Sequence, residues 1–484
     1  MGWCGRGRGE INLHDMPPPD WVQDSIFYQI FPDRFANGDS SLNPSNVQAW
    51  GSPPELRGFM GGDLEGVIQK LDYLLDLGIN AIYFNPIFDA ASNHRYDTRD
   101  YLKIDPKLGD LVTFQRLLKC AHTAGIRVIL DGVFNHCGRG FFAFHDLVEN
   151  EDASPYRNWF HVKDFPLRPY GDDDANYSAW WDIKSLPKFN TREPQVRKYL
   201  LDVARYWIDQ GTDGWRLDVP SEIDDDDFWA EFRSVVKNAN PYAYTLGEIW
   251  EVNPRWVGAK TFDALMNYPF RKAALDFFAT DSISATHFGD TVEHLLTVYP
   301  RPNLYAQFNP LGSHDTERVL TLCNNDFSRL KLALLFQFTY VGAPSIYYAD
   351  EIGTTGGKDP ECREAFNWNE HEWNTDLRDY VKILAALRKN HIALRRGDFK
   401  RLHAHAHENI YAFLRKHDHN DPESLIIVLN SSDHSLTHDI PTTNTGWQNG
   451  VVARDLLSGK KFVVENHLVN VKLSARSGMI LTMR

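Results

Sequence analysis

Cysteine is scarce in this chain, with five residues in 484: Cys4, Cys120, Cys137, Cys323 and Cys362. The number is odd and no CxxC pair occurs, so neither a disulfide framework nor a thiolate metal site is indicated. Reduced thiols in a cytosolic protein are the reading. Positive charge is also short: 51 Lys and Arg face 65 Asp and Glu, a net charge of −14. Partners rich in phosphate need basic surface, so nucleic acid and anionic membranes are excluded as main partners. No run reaches the roughly 18 apolar residues of a transmembrane helix. The N-terminal MGWCGRGRGEINLHDM has no apolar core of a secretory signal. A cytoplasmic location is therefore expected.

Aromatic residues are plentiful at 13% of the chain. They serve large cores, and flat rings also stack on sugars and other apolar faces. Residues 1–20 read as an irregular lead-in. From residue 21, short β-branched stretches alternate with helical patterns. The expected strands are SIFYQIF (25–31), AIYFNPIF (81–88), RVILDGVFNH (127–136), GWRLDV (214–219), YTLGEIW (244–250), FDALMNY (262–268), LYAQFNPLGSHD (304–315) and SIYYADE (345–351). Apolar residues at helical spacing with a terminal glycine predict helices over 63–78, 113–125 and 195–211. Repeated strand–helix units imply parallel strands with crossover helices, and eight of them fit a (β/α)8 barrel over 21–398. The connection between His136 and the helix near 195 is too long for a simple loop, so an inserted subdomain is expected at about 137–190. After 398 the helical patterns stop, and 399–484 reads as a C-terminal all-β domain.

In such a barrel the chemistry sits at the C-terminal strand ends. Several of these ends are polar: Asn135 and His136, Arg216 and Asp218, Glu248, His314 and Asp315. Side chains alternate along a strand, so Arg216 and Asp218 share a face. Burying one charged pair is unremarkable; four polar strand ends converging on one barrel mouth indicate a site.

DGVFNH (131–136), GWRLDV (214–219), GEIW (247–250) and SHD (313–315) resemble, in order, the four short conserved regions of the α-amylase superfamily of glycoside hydrolases. SLPKFN (185–190) is similar to the additional motif of its neopullulanase and cyclomaltodextrinase group, and RYDTRDYLKIDP (95–106) and YYADEIGTTGGKDPECR (347–363) extend the likeness. The resemblance implies that Asp218 is the nucleophile, Glu248 the general acid/base and Asp315 the stabiliser of the transition state. Glu248 must then hold a proton at neutral pH. Asp218 must be ionised, and Arg216 beside it favours that form. Retention of configuration through a glycosyl-enzyme intermediate follows, with carboxyls about 5–5.5 Å apart. His136 and His314 resemble the imidazoles that hold sugar hydroxyls, and Tyr96 the stacking platform of the same subsite. Asp359 and Arg363 resemble donor-side sugar contacts, although the pair reads equally as a surface ion pair. Trp250 walls the acceptor side or belongs to the core. The substrate implied is a short α-1,4-glucan: a maltooligosaccharide, a cyclodextrin or a relative. A 4-α-glucanotransferase shares the first chemical step and is the alternative. A non-catalytic glycan-binding protein is disfavoured, because all three acids are present.

NGDSSLN (37–43) and GGD (61–63) resemble a structural calcium loop. Asn37, Asp39, Asn43, the Gly61 carbonyl and Asp63 would be the oxygen ligands; the other reading is an Asn/Asp/Gly turn. Members of the group carry an N-terminal β-sandwich where this chain has residues 1–20, so a more open cleft is expected. The acidic run Asp224–Asp227 reads as a solvated helix start, HAHAH (403–407) as an exposed strand face, and Cys137 as packing.

Overall fold

The computed structural model describes residues 16–418 and 423–483. Cys4 and most of the expected lead-in lie outside the described residues. Eight parallel strands form the barrel: β1 (Phe27–Ile30), β2 (Ala81–Phe84), β3 (Arg127–Gly132), β4 (Gly214–Leu217), β5 (Tyr244–Gly247), β6 (Ala264–Leu265), β7 (Phe308–Pro310) and β8 (Ala343–Tyr347). They pair in the order β6-β5-β4-β3-β2-β1-β8-β7. A single parallel bridge, Met266 to Phe308, joins the two ends and nearly closes the cylinder.

The period of two predicted from sequence divides each strand between two cores. Phe27, Ala81, Tyr83, Ile129, Tyr244, Leu246, Ala264, Met266, Phe308 and Ala343 pack together inside the barrel. Tyr28, Ile82, Val128, Leu130, Trp215 and Leu217 point the other way, into the core shared with the helices. Gly214 is needed where β4 meets β5. A Cβ there would stand 2.2 Å from the Tyr244 carbonyl oxygen.

The helices start where carboxylates can cap them. Asp110 accepts from the Thr113 N–H at the head of Leu111–Thr123, and Asp225 from the Phe228 N–H at the head of Asp226–Ala239. The acidic run thus includes a helix cap, as its composition indicates. The helix expected over 63–78 is two pieces, Leu64–Gln69 and Leu71–Leu77. Lys70 leaves the helical region between them (φ −108°, ψ 10°) and sets its ammonium 4.0 Å above the Trp368 ring. The strand expected over 304–315 is only Phe308–Pro310, because Arg301–Tyr305 forms a helical turn.

Eight antiparallel strands follow from Asp398. Alternation again serves two cores: Tyr411, Phe413, Leu425, Ile427 and Leu429 join the barrel's helical layer. Ile410, Ala412, Ile426 and Val428 fill the domain's own interior. No helix among the described residues is long and apolar enough to cross a membrane.

Candidate active site

The inward phase of the strands carries the barrel core into a charged mouth. Ile129 is followed two positions on by Asp131, Gly214 by Arg216 and then Asp218, and Leu246 by Glu248. Arg216 is fully buried and is the hub. Its Nη1 donates to both oxygens of Asp131 at 2.7 and 3.0 Å and to Oδ1 of Asp218 at 3.0 Å. Its Nη2 lies 2.8 Å from Oε2 of Glu248. Asp218 and Glu248 therefore meet across a single guanidinium, whose planar fork suits several carboxylates at once.

Two further donors reach Glu248. The Val219 N–H donates to Oε2 at 3.0 Å and the Trp250 indole to Oε1 at 3.3 Å. Val219 is β-branched and sits in the left-handed region (φ 35°, ψ 52°), which such residues rarely occupy. This strain aims its N–H at the acid. The sequence reading puts a proton on Glu248. None of the three contacts to its carboxyl can accept that proton, so they do not support this expectation.

Burial pushes the Asp218 pKa well above the usual carboxylate range, and the charges of Glu248, Asp131 and Asp315 add to the push. Arg216 works against them. Sequence reasoning saw only this second influence. Asp315 is also raised, to about 7, by burial and then by Glu248, with Arg363 and Arg216 opposing. Carboxylates outnumber cations here, which favours a ligand that develops positive charge.

The expected sugar contacts surround these acids. Tyr96 Oη donates to Asp131 at 2.8 Å and lies 2.6 Å from His314 Nε2. The two rings are nearly coplanar in orientation, 9° apart, with centroids 5.5 Å apart. His314 Nε2 also approaches Asp315 at 3.1 Å. Burial lowers the pKa of His136 to about 3 and that of His314 well below its usual value. Both imidazoles are thus neutral; His136 Nε2, buried without a protein partner, is available to a hydroxyl group, whereas His314 already meets Gln29 through Nδ1 and Tyr96 through Nε2. Arg363 is held by the His314 carbonyl at 2.9 Å and reaches Asp315 at 3.3 Å and Asp359 at 3.1 Å. The Asp359–Arg363 pair belongs to the site rim rather than to a remote surface. Trp250 is 46% exposed and stacks on Tyr268 at 3.7 Å, which rejects the core reading.

Sequence reasoning assigned no role to Asp131, Tyr83 or Gln29. Asp131 accepts from Tyr83 Oη at 2.7 Å as well as from Arg216 and Tyr96. Gln29 bridges His314 Nδ1 at 2.9 Å and Asn85 at 3.0 Å. The signal for Asp131 was its strand phase, which matches that of Arg216.

The residues expected to hold calcium do converge. A Cβ on Gly61 (φ 83°) would lie 2.2 Å from Asn43 Oδ1 and 2.7 Å from Asn37 Nδ2. Asp63 accepts from the Gly38, Asp39 and Gly66 N–H groups, and Asp39 accepts from Ser41. Asn37 turns its Nδ2 to Asn43 Oδ1 at 3.0 Å, so the loop is closed by its own hydrogen bonds, and only with that amide reversed would Asn37 offer an oxygen to a hard cation such as Ca²⁺. No cluster of three or more His, Cys, Asp or Glu suited to a metal occurs among the described residues; the HAHAH segment is not one exposed strand face, because the strand ends at His405 and His403 and His405 are half-buried beside His438.

Comparison with known proteins agrees with this geometry. Residues 29–418 match the family model of the alpha amylase catalytic domain. A cyclomaltodextrinase from Geobacillus thermopakistaniensis is 48% identical over 460 residues, covering 94% of this chain and 76% of that protein. Neopullulanase 2 from Thermoactinomyces vulgaris is 43% identical over 466 residues, 96% of this chain and 78% of that one. The cyclic alpha-maltosyl-(1→6)-maltose hydrolase from Arthrobacter globiformis, solved in complex with its named substrate, superposes with a TM-score of 0.88 at 41% identity, covering 96% of this chain and 100% of that chain. A guanidinium-bridged pair of acids at the mouth of a parallel barrel and a family match across most of the chain lead to one conclusion: this protein belongs to the α-amylase family of glycoside hydrolases.

Proposed function

We propose that the protein hydrolyses α-1,4-glucosidic bonds of cyclodextrins and maltooligosaccharides with retention of configuration. One observation carries this reading: Asp218 Oδ1 and Glu248 Oε2 lie 3.0 and 2.8 Å from the same Arg216 guanidinium. Arg216 engages one oxygen of Asp218, and the other attacks the anomeric carbon. Glu248 donates its proton to the departing glycosidic oxygen and later removes one from the incoming water. Asp315, with His136 and His314, grips the sugar hydroxyls, and Tyr96 backs the ring. A sugar hydroxyl in place of water would give transglycosylation.

The names of the relatives support the substrate class. The test is reducing-sugar release from γ-cyclodextrin and maltoheptaose, with the first product's anomeric form read by NMR. The expected product is the α-anomer, and Glu248→Gln removes activity by at least about 10²-fold. First release of the β-anomer would refute retention. Longer oligomers formed from maltotriose with no net gain in reducing ends would assign a 4-α-glucanotransferase instead.

Two smaller readings belong to this proposal. The loop of Asn37, Asp39, Asn43, Gly61 and Asp63 holds a structural Ca²⁺, supported by the convergence of these residues around Gly61. The protein acts in the cytoplasm, supported by Cys120, Cys137, Cys323 and Cys362 all being free.

A further inference from the structure

The inserted segment between β3 and the helix Pro194–Asp209 carries a stack of rings that leads out of the active site. The His136 ring lies against Trp180 (centroids 5.4 Å apart, planes 18° apart). Trp180 lies against Trp181 (4.5 Å, 12°). Trp181 is 75% exposed, more than any other large hydrophobic residue described. Its backbone is in the left-handed region (φ 50°, ψ 33°), and Asp182 follows in the same region (φ 57°). Non-glycine residues rarely adopt this conformation, and burial does not reward it here.

The segment that presents the pair is pinned to the barrel. The Phe189 N–H donates to the Asn135 carbonyl at 3.0 Å and the Cys137 N–H to the Pro187 carbonyl at 3.1 Å. Across the hairpin, the Trp180 N–H donates to the Leu186 carbonyl at 3.0 Å and the Lys188 N–H to the Ser178 carbonyl at 2.9 Å. Thus a large flat ring is held parallel to the sugar-contacting imidazole, at fixed spacing, with its outer face open to water. The apolar face of a pyranose ring is the chemistry such a face recognises, since stacking buries both without a hydrogen bond to satisfy.

Resting on the glucan reading above, we propose that Trp181 is a remote glucan subsite. It stacks a glucose ring beyond the sugars at the cleaved bond and so favours longer chains. The contact is made equally in the ground and transition states, so its loss appears in KM more than in kcat.

The experiment compares maltoheptaose with maltotriose, which has fewer rings to place beyond those at the cleaved bond. In Trp181→Ala, the ratio of kcat/KM for maltoheptaose to that for maltotriose falls about five- to tenfold, mostly through KM. Trp181→Phe keeps a ring and recovers most of the ratio. An unchanged ratio, or equal losses on both substrates, overturns the subsite while leaving the glucanase reading intact. Absence of turnover of any α-glucan by the parent protein would remove both.

Discussion

Arg216 is the residue on which the site depends most, and its replacement by methionine has a calculable cost. The guanidinium is fully buried and lies 2.7–3.0 Å from the carboxyls of Asp131, Asp218 and Glu248. Methionine fills similar space and removes the charge. Breaking a buried ion pair from one side costs about 3–5 kcal/mol, because the abandoned charges stay desolvated. Domains are stable by only about 5–15 kcal/mol, so Arg216→Met is folded but weakened. For a barrel of this size that loss lowers Tm by about 4–6 °C. The pH dependence separates this cause from simple loss of packing. Without Arg216 the buried carboxyls bind protons more tightly in the folded state than in the unfolded state. The deficit shrinks as pH falls towards the ordinary carboxylate pKa values near 4, below which both states are protonated, and grows towards pH 8. Thermal unfolding followed by circular dichroism at pH 4.5, 6, 7 and 8 measures it. Arg216→Lys keeps one charge but not the fork, and falls between the two. A deficit of the same size at every pH would refute the account, as would a methionine variant as stable as the parent at pH 8.

Much of this arrangement was legible because it is periodic. The alternation that puts Ile129, Leu246 and Gly214 inside the barrel puts Asp131, Glu248 and Arg216 at its mouth, and a period of two is visible without neighbours. Residues whose role depends on a distant partner were harder. Asp131 was part of a recognised motif yet had no assigned task, since its partner Arg216 comes from another strand, 85 positions on. The Asp359–Arg363 pair was ambiguous until Asp315, 3.3 Å from the guanidinium, showed which surface it faces. Trp250 was undecidable between core and cleft, because tryptophan suits both. The same holds for strand length. Residues 304–307 are apolar enough for β7, but Tyr305 bonds to the Gly397 carbonyl at 2.9 Å, and this tertiary contact accompanies a helical turn. Trp181 left no signal beyond its composition, because its meaning lies in a backbone angle.

Two further outcomes are expected. Chelation with EDTA lowers Tm by several degrees if the Asn37–Asp63 loop holds Ca²⁺, and added Ca²⁺ restores it; an unchanged Tm would leave the loop as a hydrogen-bonded turn. The second concerns Asp315, whose pKa is pushed up to about 7 by burial and by Glu248, from 3.8. Between about pH 4 and 7 the folded protein keeps a proton that the unfolded chain has released. Folding stability therefore falls as pH rises through that window, and the whole penalty is present above about pH 7. At about 1.36 kcal/mol per pKa unit the ceiling is near 4 kcal/mol. The side chain is 34% exposed, so water screens much of this, and about 1–2 kcal/mol is expected. Asparagine carries no such charge. Asp315→Asn thus matches the parent near pH 4 and exceeds it by that amount at pH 8, read from urea midpoints, while its activity collapses. A gap that is constant with pH would mean that the residue is not charged against its neighbours. A widening gap would show that the acid that stabilises a cationic sugar also destabilises the empty fold.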